Sequence, residues 1–335
     1  MADTSKPLFS RPVLAAIMLF CTLAIWLLNL TAPNSALPTP NIDNTETASG
    51  IPIVWLTQDA WQQSDKLDVS LVFQTVDEDL SLAQTTFAML MSDSLPLSTS
   101  PINQRLSPLA AQVSSHYEPG RQTISLTMSN ELAYLRPTLS LVTPWLNKPD
   151  FKYRTLDRWQ RQQKANDPTY PLHTLAQIKA YYAALQHSAS TIFVIGYASD
   201  ETKTRLVNAL DQISQRYQSP VPTNDLASLS PVESIQNWLS LQLWKADTQH
   251  TSSQDTDVFQ AQLVALREYL EQQALSPTWW RTIATQVTDE NGSLTLATFA
   301  ENYKNTLDTF TIEDYRAALA RLPIPSPHQE TQVDQ

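Results

Sequence analysis

The chain has 335 residues, enough for one large domain or two smaller ones, and a formal net charge of −11 from 22 Lys and Arg against 33 Asp and Glu. That acidic balance argues against nucleic acid, whose recognition needs clustered positive charge. The four glycines, at 50, 120, 196 and 292, cannot build either common phosphate-cradling loop, and the single cysteine, Cys21, excludes an intrachain disulfide and a cysteine-based metal site.

Residues 1–11 are short and polar, with Lys6 and Arg11 as the cations. Residues 12–30 carry no charge, and roughly 18 apolar residues is the threshold for a spanning helix. The sequence that follows, TAPNSALP, offers no convincing cleavage site, so an uncleaved signal anchor is expected rather than a removed signal. Phe20 is too large to precede a lipidated cysteine. Cations before the segment and Asp43 and Glu46 after it place the N-terminus in the cytoplasm. The expectation is a single-pass protein of a bacterial inner membrane with its main domain in the periplasm. Residues 31–50, with Pro33, Pro38 and Pro40 among small polar residues, read as a Pro-rich tether.

The folded part is expected from Ile51, where IPIVWL reads as a strand. Leu67, Val69, Leu71 and Phe73 alternate with Asp68, Ser70, Val72 and Gln74, the pattern of a half-buried strand. A helix over Leu82–Ser94 follows, then a Ser/Pro-rich loop and a short helix over Gln104–Ala111. Gln112–His116 and Gln122–Met128, joined at Glu118-Pro-Gly120, make a hairpin. Asn130–Leu146 is helical by period, with Pro137 expected to kink or break it. Helices are expected over Tyr153–Lys164 and Leu172–Gln186, then a strand, Thr191–Gly196, and a helix capped by Asp200. Ser219–Pro231 is a second Pro/Ser-rich linker (219–231). Residues 232–322 read as almost wholly helical, and 323–335 as a disordered tail.

The helix over Leu82–Ser94, LAQTTFAMLMSDS, carries the most informative pattern. It resembles the zinc-binding helix of the insulinase/pitrilysin metallopeptidases, whose H-x-x-E-H motif sits in a context like L-A-H-x-x-E-H-M-L. Leu82, Ala83, Met89 and Leu90 match that context. Gln84, Phe87 and Ala88 stand where the first histidine, the glutamate and the second histidine belong. The order of elements over residues 51–218 adds to the resemblance: two strands before the motif helix, a hairpin behind it, and TIFVIG before a closing helix. The resemblance implies an α+β fold, a mixed or antiparallel sheet with helices packed on it, followed in 232–322 by a mainly helical, truncated second repeat. It also implies a third zinc ligand, a glutamate, within Tyr153–Lys164. That segment holds only Asp157 as an acid.

Zinc needs imidazole or carboxylate donors, and its bound water needs a general base. An amide, a phenyl ring and a methyl group supply neither, so no catalytic residue, metal or cofactor is expected. The histidines at 116, 173, 187, 250 and 328 share no helical i, i+3 or i, i+4 spacing. No G-x-S-x-G elbow is present, although a Ser-His-Asp site assembles in space rather than in sequence. Arg154, Arg158, Arg161 and Lys164 form a cationic stripe, either a solvated helix face or a docking surface for an acidic partner or lipid headgroups. Three functions are consistent with these residues. The first, implied by the resemblance, is a non-catalytic subunit that binds or completes a zinc-bearing insulinase-like peptidase. The others are an envelope scaffolding protein with no peptidase partner, and a peptidase with an unrecognised site.

Overall fold

The computed structural model describes residues 38–74, 79–96, 98–213, 229–247, 252, 255–288 and 294–322. The expected anchor (12–30), the tail (323–335) and most of the linker (219–231) lie outside the described residues. Among the described residues, no helix is long and apolar enough to cross a membrane. The described residues from Thr39 to Leu322 form one compact unit.

Alternating apolar residues set the central strands. The strands are β1 (Asn41–Glu46), β2 (Pro52–Thr57), β3 (Lys66–Gln74), β4 (Gln112–Glu118), β5 (Arg121–Ser129) and β6 (Ala189–Ile195). They form one sheet in the order β1-β2-β6-β3-β5-β4, with β2 and β6 parallel and every other pair antiparallel. β4 and β5 are joined by Pro119-Gly120, and Gly120 takes the positive φ of 76° that the second central position of a type II turn requires. β1 corrects the expectation of a tether reaching residue 50. Apart from Ile42 its side chains are polar, and they are mostly exposed, so no apolar alternation marks it. Pairing with β2 satisfies its backbone instead, and its charges suit an edge strand.

One face of the sheet carries α1 (Leu80–Met91), α2 (Ile102–Leu106), α3 (Leu132–Asn147), α5 (Leu175–Gln186) and α6 (Asp200–Ile213), with α4 (Tyr153–Asn166) against α1. Leu67, Val69, Leu71 and Phe73 of β3 meet Phe87 and Leu90 of α1 and Leu135, Val142 and Trp145 of α3 in this core. α3 runs unbroken through Pro137 and Pro144, against the expected break. An interior proline costs about 3 kcal/mol, and burial of Leu135, Leu139, Val142, Trp145 and Leu146 on one side offsets it. Ser199, rather than Asp200, caps α6, its hydroxyl accepting from the Thr202 amide at 3.3 Å.

The second face overturns the expectation that β3 is half-buried. The C-terminal helices α7 (Pro231–Ala246), α8 (Thr256–Gln273), α9 (Pro277–Thr282), α10 (Leu296–Asp308) and α11 (Ile312–Arg321) build their own core around Trp280, Phe299, Tyr303, Phe259 and Tyr315. α9 packs on β3 and β6, so β3 is buried from Leu67 to Phe73 on both faces. Its polar residues read as solvent-facing because their partners are far away in sequence. Asp68 accepts from Thr127 and pairs with Arg281 at 3.3 Å. Ser70 meets Ser125 at 3.0 Å. Trp61 donates to the Leu275 carbonyl at 2.7 Å, and Arg121 reaches the carbonyls of Thr285 and Thr288. The helical region is therefore fastened to the sheet.

Lys152 closes the loop behind α1. Its ammonium donates to the carbonyl of Asp93 at 2.6 Å and to that of Ser98. Lys152→Met leaves both carbonyls without this donor and is expected to lower stability by about 1–2 kcal/mol, read as a shifted urea midpoint with unchanged slope.

Candidate functional site

α1 carries the three positions matched to the zinc motif, Gln84, Phe87 and Ala88, and it begins with a dense cap. Asp79 accepts from the amides of Ser81 and Leu82 at 3.1 Å each and from the Ser81 hydroxyl at 2.5 Å. The same hydroxyl lies 2.9 Å from Nε2 of His173, a buried imidazole just before α5. One turn further, the Tyr170 hydroxyl sits 3.2 Å from Oε1 of Gln84, 2.9 Å from Thr85 Oγ1 and 3.1 Å from the Ser81 carbonyl. On the other side, Gln160 of α4 donates to the His173 carbonyl at 2.6 Å. Residues 167–174 thus form a strap across the start of α1, tied down at Tyr170 and His173. No local sequence pattern marks these two residues, since each acts on positions more than eighty residues away.

The three motif positions meet different fates. Gln84 is half-buried beneath Tyr170. Phe87 is 1% exposed and stacks on Tyr117 of β4, with ring centroids 6.3 Å apart and planes at 9°. Ala88 is half-buried. Asp157 of α4 is engaged by Arg161 at 2.5 Å. This donor set does not fit zinc: one amide oxygen is a poor ligand, and carbon supplies none. Among the described residues, no group of three or more His, Cys, Asp or Glu is arranged to hold a metal ion.

Asp79, Ser81 and His173 are the residue types of an acyl-transfer triad in the wrong order. In a triad the imidazole lies between carboxylate and hydroxyl; here the hydroxyl lies between carboxylate and imidazole. Asp79 also occupies the amides of Ser81 and Leu82, donors of the kind an oxyanion would need. The cluster acts as a helix cap and a latch for the strap. The Asp79 carboxyl is held below the usual carboxylate range, first by the Ser81 hydroxyl, then by the Leu82 amide and the charge of His173. A carboxyl so depressed adds stability above the ordinary aspartate pKa, and loses it as pH falls through the folded value. Asp79→Asn is therefore expected to flatten the acid limb of stability below about pH 4, measured by urea unfolding across pH.

β4 lies beside α1 and is an edge of the sheet. Val113 spends its amide and carbonyl on the Asn103 side chain, at 2.7 and 2.8 Å. By the two-residue alternation of an antiparallel ladder, Ser115 and Tyr117 also point their amides and carbonyls away from β5. These groups have no partner among the described residues. The cations Arg154, Arg158, Arg161 and Lys164 are all exposed on α4. Arg161 is paired with Asp157, and the other three make no ion pair among the described residues.

No protein-family model and no curated protein matches the sequence. Solved structures do. A protease from Helicobacter pylori aligns with a TM-score of 0.62 at 7% identity, over 84% of this chain and 96% of the other. A peptidase M16 inactive domain from Pseudomonas fluorescens aligns at 0.55 and 14% identity, over 84% and 94%. The periplasmic protease PqqL from Escherichia coli aligns at 0.52 and 12% identity, over 86% of this chain and 45% of that one. The chain therefore has the insulinase-like fold of the M16 peptidases.

Proposed function

We propose that this chain is a non-catalytic insulinase-like protein, anchored in the inner membrane through residues 12–30, that binds or completes a zinc-bearing peptidase in the periplasm. One observation carries the reading: the three positions of the zinc motif hold an amide tied to Tyr170, a buried phenyl ring and a methyl group. The first cannot replace an imidazole, and the second has turned the general-base position into core. The free edge of β4 beside the motif helix supplies what such a subunit still needs, backbone groups able to take an extended peptide by strand addition. Likeness to an inactive peptidase domain supports the same reading.

The test is a mild-detergent pull-down of the tagged full-length protein, assayed for bound proteins and for zinc. A stoichiometric zinc peptidase is the expected companion. Neither zinc nor a peptidase would replace this reading with an envelope scaffold on the same fold. Zinc without a companion would reopen catalysis by this chain.

A further inference from the structure

β1 is the other edge of the sheet, and pairing with β2 occupies one side of it. The Thr47 amide donates to the Ile51 carbonyl at 2.9 Å, while the Leu56 carbonyl, on the far side of β2, accepts from Gly196. The two-residue alternation of the ladder therefore turns Asp43 and Thr45 toward β2, and Ile42, Asn44 and Glu46 away from it. The amides and carbonyls of these last three residues have no partner among the described residues.

Beside this edge lies a groove of about 520 Å³ between β1 and α6. Asp43 and Thr45 share a face with Trp55 and Ile53, their partners on β2, and Lys203 and Val207 of α6 line the opposite side. The Trp55 indole donates to Thr45 Oγ1 at 2.8 Å, and the Lys203 ammonium lies 5.5 Å from its ring centroid. Glu46 lines the same groove. Asp211 of α6 accepts from the Ala48 amide at 2.6 Å, just beyond the end of β1. Neither Asp43 nor Glu46 has an ion pair among the described residues, and Arg205 of α6 is paired with Glu201. Three carboxylates thus stand around this edge against the ammonium of Lys203, which already covers Trp55.

We propose that the free edge of β1 takes an extended basic segment of a partner protein as a further strand. This edge lies at the opposite end of the sheet from β4, and the inference does not depend on the partner being a peptidase. Backbone groups at Ile42, Asn44 and Glu46 supply the hydrogen bonds, and charge selects the occupant. Lysine or arginine opposite Asp43 faces the groove, where its methylenes lie along the wall and its charge meets the carboxylate. A second copy would bring its own Asp43 and Glu46 to an edge that is already acidic, which like charge disfavours. Residues 31–37 and 323–335 of this chain contain no Lys or Arg, so neither complements it.

The experiment uses the full chain in phosphatidylcholine nanodiscs, whose lipid offers a cationic peptide no anionic surface. The probes are short fluorescent peptides of valine and threonine that carry Lys, Gln or Glu at the same positions, and the Lys peptide N-methylated on alternate amides. The Lys peptide is expected to bind best and to weaken as salt rises. N-methylation removes the donors that a new strand needs and should abolish binding. Asn44→Pro deletes an outward amide that β2 does not use. It should weaken the Lys peptide about tenfold or more while melting as the wild type does. Asp43→Lys with Glu46→Lys should turn the preference toward the Glu peptide. Binding that ignores peptide charge, survives N-methylation or is untouched by Asn44→Pro overturns the proposal. So does self-association that Asn44→Pro dissolves, which would give the edge to a second copy. A zinc peptidase that co-purifies with the chain while no Lys peptide binds would reject this edge and leave the partner reading standing. Lys-peptide binding as expected with no peptidase in the pull-down would keep the edge and reject that partner.

Discussion

Phe87→Glu, which restores the general base of the zinc motif, is expected to cost at least about 4 kcal/mol. The ring is 1% exposed, lies in the core over β3 and stacks on Tyr117. Removing it forfeits the burial of an aromatic side chain, and the carboxylate would enter the apolar core. A loss of that size is a large share of the roughly 5–15 kcal/mol that holds a typical domain together. Gln84→His and Ala88→His fall on half-buried positions and should each cost within about 1 kcal/mol. Urea unfolding of the three single variants measures the contrast. A Phe87→Glu protein as stable as wild type would show that this position is open to solvent and chemistry.

Gly196→Ala is the second large effect, at about 3 kcal/mol or more. Gly196 ends β6 at φ 128°, and its amide donates to the Leu56 carbonyl at 3.0 Å. A Cβ there would stand 2.6 Å from the Lys66 carbonyl oxygen and 3.2 Å from Leu67 Cδ2. The first of these is backbone at the start of β3, which cannot swing aside without disturbing its pairing with both β5 and β6. Gly50→Ala is the control. Its φ is also positive, at 84°, yet nothing lies within 4 Å of the added carbon, so its cost is the backbone strain alone, about 1 kcal/mol. Equal losses at the two positions would contradict the close approach at Gly196.

Much of the sheet and its first helical layer was legible in the sequence, because local pattern and tertiary role agree there. β3 and β5 alternate, Pro119-Gly120 marks the hairpin, and α6 shows one apolar stripe through Leu206 and Leu210. β1 escaped because an edge strand in water needs no apolar alternation. The second face of β3 escaped because Asp68 and Ser70 are satisfied by Arg281, Thr127 and Ser125, and such partners cannot be read from a window of neighbouring residues. The same limit applies to the site. Spacing put Gln84, Phe87 and Ala88 on one helix, as α1 has them, and the expectation that they hold no zinc rests on residue type. That Phe87 is core rather than an empty wall, and that Tyr170 and His173 bind the strap to α1, depends on contacts made only in the folded chain.

Whether this fold works without a metal of its own is tested most directly by zinc content and zinc titration of the purified full-length chain, freed of companions. The expected result is no stoichiometric zinc and no binding that responds to Gln84→Ala. One zinc per chain, released when Gln84 or His173 is replaced, would contradict it and return this chain to the metallopeptidases as an enzyme.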